Sequence, residues 1–310
     1  MGMDELDQIM EKVIGLRVDV DFEIGMMRGV PYLLDLFKAE GITATFYVTL
    51  GPDGFKNNKS RVKTPGYIKR IMAFNPFNII TKFGPVYLFR QFFGNPGMVG
   101  SHHPDVLKKI INDGHEIGVH GYDHFWWAEN IWNCNDNEVR QEMNKGLTVF
   151  KDLTGEDAKV WASPNWRCSK LSMQIVDELR LSYGADCRGT HPFIPMIDDW
   201  TAKTPQFPIS LPCLHEIKSY LDSPTDGEII KEFTSKLRDG YNLWCIHDYY
   251  EGILERKLLI DVIRELKSAG YRIVPVEFLV SAYNRDELSV NRIGQKKLPG
   301  GRGMISYQEQ

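Results

Sequence analysis

The sequence predicts an α/β protein: a single irregular (β/α) barrel of about seven units, with a basic, aromatic-rich insertion after the second strand. Three observations predict it. From Val13 onward, short β-branched apolar runs alternate with amphipathic segments. The length of 310 residues suits one large α/β domain, and 43% hydrophobic with 25% charged residues is the balance of a chain that can bury a sizeable core.

The elements follow in order. Residues 14–22, IGLRVDVDF, read as the first strand. Residues 30–40 carry Val30, Leu33, Leu34, Leu36 and Phe37 at helical spacing and stop before Gly41, a residue suited to a helix C-cap. Residues 42–50, ITATFYVTL, are the second strand. The scheme then repeats as helix 105–112, strand 116–120, helix 137–153, strand 159–162, helix 171–179 and strand 181–185. It ends with helix 228–238, strand 242–247, helix 256–268 and strand 271–275. One catalytic domain is expected over residues 1–310, with no internal repeat.

Composition excludes several classes. The net charge of -4 and pI near 6.1 are not those of a polyanion binder, and no nucleic-acid motif is present. No run approaches the roughly 18 apolar residues needed to span a bilayer. The opening MGMDELDQIMEK has early acids and no apolar h-region, so a secretory signal is not expected. Cys134, Cys168, Cys187, Cys213 and Cys245 form an odd set without a C-x-x-C pair, which reads as reduced thiols inside the cell. Neither a disulfide framework nor a cysteine zinc site is indicated by that spacing.

Residues 54–104 break the rhythm. They hold no Asp or Glu, but they hold Lys56, Lys59, Arg61, Lys63, Lys69, Arg70, Lys82 and Arg90, a local balance of +8. Phe55, Tyr67, Phe74, Phe77, Phe83, Tyr87, Phe89, Phe92 and Phe93 are interleaved with those charges. Aromatic rings at headgroup depth and cations on phosphates would seat such a segment on an anionic membrane surface. A packed lid or an oligomer interface is the plainer alternative.

Five residues carry candidate chemistry. Asp19 and Asp21 lie two apart on the first strand, so their side chains leave the same face. Two carboxylates among Leu16, Val18, Val20 and Phe22 are costly to bury unless a positive charge sits between them. His120 and His124, in GHEIGVHGYDH, are four apart and face one way if the chain turns helical after the strand. His247 ends a late strand, NLWCIH. All five map to the C-terminal ends of predicted strands, where barrel enzymes keep their catalytic groups. Two histidines with one carboxylate suit zinc first, and manganese, cobalt, nickel or iron as other divalent cations that activate water. The second carboxylate is then a general base and His247 a general acid, a kit that hydrolyses an amide or ester. Trp166 is either core or the wall of a sugar subsite. His102, His103, His115, His191 and His215 read as structural.

At these residues the chain resembles the metal-dependent polysaccharide deacetylases of carbohydrate esterase family four. The resemblance runs through IGLRVDVD, GVPYLL, GPDG, HEIGVHGYDH, NWR, DCRGTHPF, LP and GGRG, nearly the whole chain from Val13. It implies that Asp19 is the catalytic base, that Asp21, His120 and His124 are the metal ligands, and that His247 protonates the departing amine. It is sharpest to the branch that deformylates a 4-formamido-arabinose carried on phosphoundecaprenol. That implies a lipid-linked sugar substrate and a place on the cytoplasmic face of the inner membrane, reached through residues 54–104. A deacetylase of another N-acylated sugar and a catalytically silent scaffold of a membrane pathway are the rival readings. One motif departs from the family. Where many members have an R-x-P-Y arginine that pairs with the base, this chain reads ASPNWR at residues 162–167, so Arg167 or, by its DCRG context, Arg188 is expected to substitute. Trp166, Arg167 and Arg188 are accordingly the candidate substrate contacts.

Overall fold

The computed structural model describes residues 12–54, 76–93, 97–300 and 303–309. In chain order the strands are β1 (Val13–Val20), β2 (Thr45–Val48), β3 (Glu116–Val119), β4 (Val160–Trp161), β5 (Tyr183–Gly184), β6 (Ile194–Ile197) and β7 (Trp200–Thr201). They continue with β8 (Leu243–His247), β9 (Arg272–Val274), β10 (Val290–Lys297) and β11 (Met304–Gln308). The helices are α1 (Val30–Glu40), α2 (Pro76–Phe83), α3 (Pro85–Phe93), α4 (Pro104–Asn112), α5 (His124–Asn130) and α6 (Asp136–Thr154). After them come α7 (Lys170–Glu178), α8 (Leu214–Tyr220), α9 (Asp226–Thr234), α10 (Arg256–Ser268) and α11 (Val276–Ser281).

Seven strands form one parallel sheet in the order β5-β4-β3-β2-β1-β8, with β9 beside the first residues of β1. The sheet curls into a half-barrel. Its open side, between β5 and β8, is bridged by irregular chain: Phe207 N–H donates to Gly184 O at 2.9 Å, and Leu211 N–H to Leu243 O at 3.1 Å. This is the irregular (β/α) barrel the alternation predicts.

Because side chains alternate across a strand, β1 divides its residues between two cores. Ile14, Leu16, Val18 and Val20 face outward into the layer shared with Leu33, Phe37, Leu259 and Ile263 of α1 and α10. Val13 faces the barrel interior, among Tyr47, Tyr183, Phe207, Tyr241 and Cys245. Gly15 is on that inner face because a Cβ there would lie 2.4 Å from Leu279, which plugs the barrel from α11. The helices start and stop on local signals. Asn135 and Glu138 cap α6 reciprocally, Thr225 and Glu228 cap α9, and Gly41 ends α1 at φ 63°.

Three features differ from the sequence reading. The four-stranded sheet β11-β10-β6-β7 was not expected, because β10 is largely exposed and polar and carries no apolar alternation. α5, α8 and α11 are too short to show a helical period. Within the insertion, α2 and α3 form a hairpin that turns at Gly84, φ 89°. Asp53 anchors it, accepting from Tyr87 Oη at 2.7 Å, Gln91 Nε2 at 3.1 Å and the Glu23 backbone at 3.0 Å. Lys82 donates to Leu254 O, and Arg90 pairs with Glu23 at 3.2 Å, so these two cations face the protein. The other six cations, with Phe55, Tyr67 and Phe74 and the side chains of Phe92 and Phe93, lie outside the described residues.

Candidate active site

The inner face of β1 carries more than two carboxylates. Arg17, Asp19 and, just past the strand end, Asp21 follow each other at two-residue steps, so all three side chains leave the same side of the sheet. Arg17 is buried and donates to both oxygens of Asp19, Nε to Oδ1 at 2.5 Å and Nη2 to Oδ2 at 2.9 Å. Its Nη1 reaches Ala185 O, and the guanidinium lies 4.8 Å from the centre of the Tyr47 ring. Burial opposes the Asp19 charge, but Arg17, His120 and His247 together outweigh it and hold this carboxyl well below the usual carboxylate range. The arginine that clamps Asp19 is therefore Arg17, and neither Arg167 nor Arg188. Arg188 spends its guanidinium on both oxygens of Glu216, at 3.1 Å each, and on Leu211 O at 2.9 Å. Arg167 donates to Met304 O at 3.0 Å and to Ala128 O, and stacks on Trp132. The signal that finds Arg17 was present in R-x-D-x-D, where the period of two that pairs the aspartates extends to the arginine.

His120 follows β3 directly. Its Nδ1 lies 2.7 Å from Ala162 O, a bond in which the ring N–H donates to the carbonyl and leaves the Nε2 lone pair aimed inward. Burial pushes this imidazole down to about 4 although Asp19 pulls the other way, so at neutral pH it is the uncharged form that ligates cations. His124 does not share a helix with His120. The chain turns at Gly121, φ 76°, and α5 begins at His124, capped by Asp123, which accepts from the Phe125 and Trp126 N–H groups at 3.0 and 2.9 Å. Glu142 of α6 holds the turn by accepting from Asp123 N–H at 2.5 Å. The two imidazoles still converge: each Nε2 lies 3.5 Å from Asp21 Oδ1. Donors around a tetrahedral zinc with bonds of 2.0–2.1 Å stand about 3.4 Å apart. Asp21, His120 and His124 thus fit a small divalent cation in donor type, separation and burial.

His247 reaches the same place from the other neighbour of β1. Parallel register sets Arg17 beside Cys245 and Asp19 beside His247, so acid and imidazole stand at one level on adjacent strands. The His247 backbone N–H donates to Glu251 Oε2 at 2.7 Å, and Asp248 N–H donates to Asp19 O at 3.0 Å, fixing the strand end. A pocket opens over these groups, lined by Asp19, His124, Asn165, Trp166, His215, Glu216 and His247. Asn165 and Trp166 both adopt left-handed backbone, φ 54° and 49°, a strained pair that turns the indole into the wall. Trp166 packs edge-on against His247 at 6.2 Å, with the Arg188 guanidinium 5.0 Å over its ring. His215 was passed over in the sequence as structural. It lies in the pocket, its ring 4.9 Å from that of His247, and no spacing in the sequence links it to the other histidines.

A half-barrel with two imidazoles and a carboxylate on one side, and a clamped carboxylate beside a further histidine, defines the architecture of a deacetylase-type hydrolase. Comparison agrees: the polysaccharide deacetylase profile matches residues 85–184. A Shewanella sediminis protein described as a 4-deoxy-4-formamido-L-arabinose-phosphoundecaprenol deformylase is 30% identical over 95% of this chain and 94% of its own. A Wigglesworthia glossinidia brevipalpis protein of the same description is 27% identical over 92% and 99%. Among solved structures, a Mycobacterium smegmatis protein assigned as a polysaccharide deacetylase superposes with a TM-score of 0.61 at 15% identity, over 93% of this chain and 96% of that one, a likeness of fold. The chain belongs to the polysaccharide deacetylase family, carbohydrate esterase family four, and within it resembles these formamido-arabinose deformylases.

Proposed function

We propose that this chain hydrolyses the formyl amide of 4-deoxy-4-formamido-L-arabinose phosphoundecaprenol, releasing formate and 4-amino-4-deoxy-L-arabinose phosphoundecaprenol at the cytoplasmic face of the inner membrane. The near full-length likeness to two proteins so described supports the substrate. The observation that carries the chemistry is Asp19, held as an anion by Arg17, with His247 in register beside it and the Asp21–His120–His124 donors in front. A divalent cation bound by those three residues, zinc by preference, supplies Lewis acidity to the amide carbonyl and to the attacking water. Asp19 accepts a proton from that water as its oxygen bonds to the formyl carbon. His247 gives a proton to the sugar nitrogen as the C–N bond breaks, so the product leaves as a neutral amine. Trp166 offers the flat wall against which a pyranose ring rests. Arg188 supports that wall from behind.

Membrane association belongs to the same proposal. On the α2–α3 hairpin, Phe77 and Val86 are 70% and 74% exposed, and Ile80 and Phe89 are exposed beside them. An apolar hairpin tethered to Asp53, next to the active-site strand ends, is suited to dip into a leaflet that holds the substrate. No helix among the described residues is long and apolar enough to cross a membrane.

The test is product release by purified, metal-reconstituted protein given the lipid-linked sugar in liposomes, with formate and acetate both assayed. Formate from that substrate, lost on chelation, is expected. Acetate from a soluble N-acetyl sugar, with no turnover of the lipid substrate, would move the activity to an ordinary deacetylase. No product from either would leave a silent scaffold.

A further inference from the structure

Beneath the pocket the described residues hold a second convergent set of donors. Cys213, Cys245 and His247 offer ligand atoms within 4.8 Å of one another, and so do Cys213, His215 and Glu216; all five residues are buried. The fold explains the meeting. Cys245 and His247 are two apart on one face of β8, which places the thiol one layer below the imidazole. Cys213 is the N-cap of α8 and His215 its second residue, delivered from the chain that bridges the open side of the barrel. Glu216 is already committed, to Arg188 and to the Cys213 N–H at 2.8 Å. Cys213, Cys245 and His247 form the first of these triads, two thiols and an imidazole of the kind a soft divalent cation takes, with a position left open toward the pocket.

We propose that Cys213, Cys245 and His247 form a second, inhibitory cation site for zinc or cadmium, filled through the catalytic pocket past His215. Charge permits it. Arg17 balances Asp19 and Arg188 balances Glu216, so two thiolates meet one dication without surplus. Binding releases one proton from each thiol and changes no oxidation state. His215 and His247 line the pocket and supply the route in. Occupation takes His247 away from the departing nitrogen. That inhibitory effect rests on the deformylase reading, whereas the binding does not.

Cadmium titration of the purified protein, with a non-thiol reductant present, tests the site. Thiolate-to-cadmium charge transfer absorbs in the near ultraviolet, and Asp21, His120 and His124 contain no sulfur, so the first site is silent. A band saturating with one cadmium is expected, and it should fall at least tenfold in Cys213→Ser and in Cys245→Ser. Serine is a preferred N-cap, so Cys213→Ser retains α8. Excess zinc should also slow deformylation at least tenfold in the wild type and spare Cys213→Ser. Absence of the band, or a band undiminished in both variants because cadmium sits on Cys134, Cys168 or Cys187, overturns the site. A band with no zinc inhibition overturns its inhibitory role. If no form turns over the formyl substrate, the band still decides the site and the deformylase reading alone fails.

Discussion

Arg17 and Glu251 show how single buried charges are set on either side of the reacting groups. A guanidinium that meets both oxygens of a carboxylate fixes its plane as well as its charge, and a lysine cannot copy that fork. Arg17→Gln should therefore leave Asp19 buried and unpaired, at a cost of about 3–5 kcal/mol of stability. It should also lower kcat by about 10²- to 10³-fold through the misplaced base. Arg17→Lys should recover part of each. Steady-state kinetics beside thermal midpoints check this, and an unchanged kcat in Arg17→Gln would reduce the pair to packing. Glu251 is the opposite case. Burial pushes its carboxyl from 4.5 up to about 8, against the pull of the His247 N–H, and its Oε1 has no hydrogen-bond partner among the described residues. Between those two values the folded chain holds a proton the unfolded chain has lost, so this group's contribution falls as pH rises through the window. Glu251→Gln keeps the acceptor for His247 and has no charge to bury. Its advantage over the wild type should be small at pH 5 and reach the order of a few kcal/mol by pH 8. Urea midpoints at the two pH values measure it, and parallel curves would refute it.

At the scale of elements, the α2–α3 hairpin is the part whose amino acids fit water least. Phe77, Ile80, Val86 and Phe89 are exposed while Tyr87, Phe83 and Leu88 pack inward and Lys82 and Arg90 turn back to Leu254 and Glu23. Replacing Phe77, Ile80, Val86 and Phe89 by serine removes mainly exposed apolar surface, so the fold should hold. Vesicle co-sedimentation on anionic lipid should drop at least tenfold, and kcat/KM should fall for a liposome substrate but not for a detergent-dispersed one. Equal losses in both would point to a lid over the site. The long elements were legible because each has a period and two ends: α1 and α10 run from Val30 to Glu40 and from Arg256 to Ser268, the bounds their apolar spacing predicts. β4 and β5 pair over two residues each, shorter than their apolar runs, because barrel strands lose ladder partners where loops begin. The site was legible wherever its residues share a strand end. His215 and the Cys213–Cys245 pair were not, since only the bridging chain between β5 and β8 brings them to the pocket.

For the whole molecule, the site is a place where three sheet strands and one helix start aim polar groups at a common point instead of at water. Asp21, His120 and His124 come from after β1, after β3 and from the first turn of α5, segments up to about a hundred residues apart that converge only in the folded chain. A ligand that binds the native state and not the unfolded one stabilises it by RT ln(1 + [L]/Kd), about 2.7 kcal/mol at a hundredfold excess over Kd. At roughly 2–4 °C per kcal/mol for a chain of this size, the thermal midpoint should rise by about 5–10 °C with zinc and return on chelation. Zinc at two sites would confuse that result, and two variants separate them. His124→Ala removes a donor from the first site and leaves the thiols intact, so it should abolish the rise seen at low zinc. Cys213→Ser should keep that rise and lose only what appears at higher zinc. A midpoint that ignores zinc in the wild type would mean that the three donors meet for packing, and that the chain's hydrolytic chemistry runs without a cation at Asp21.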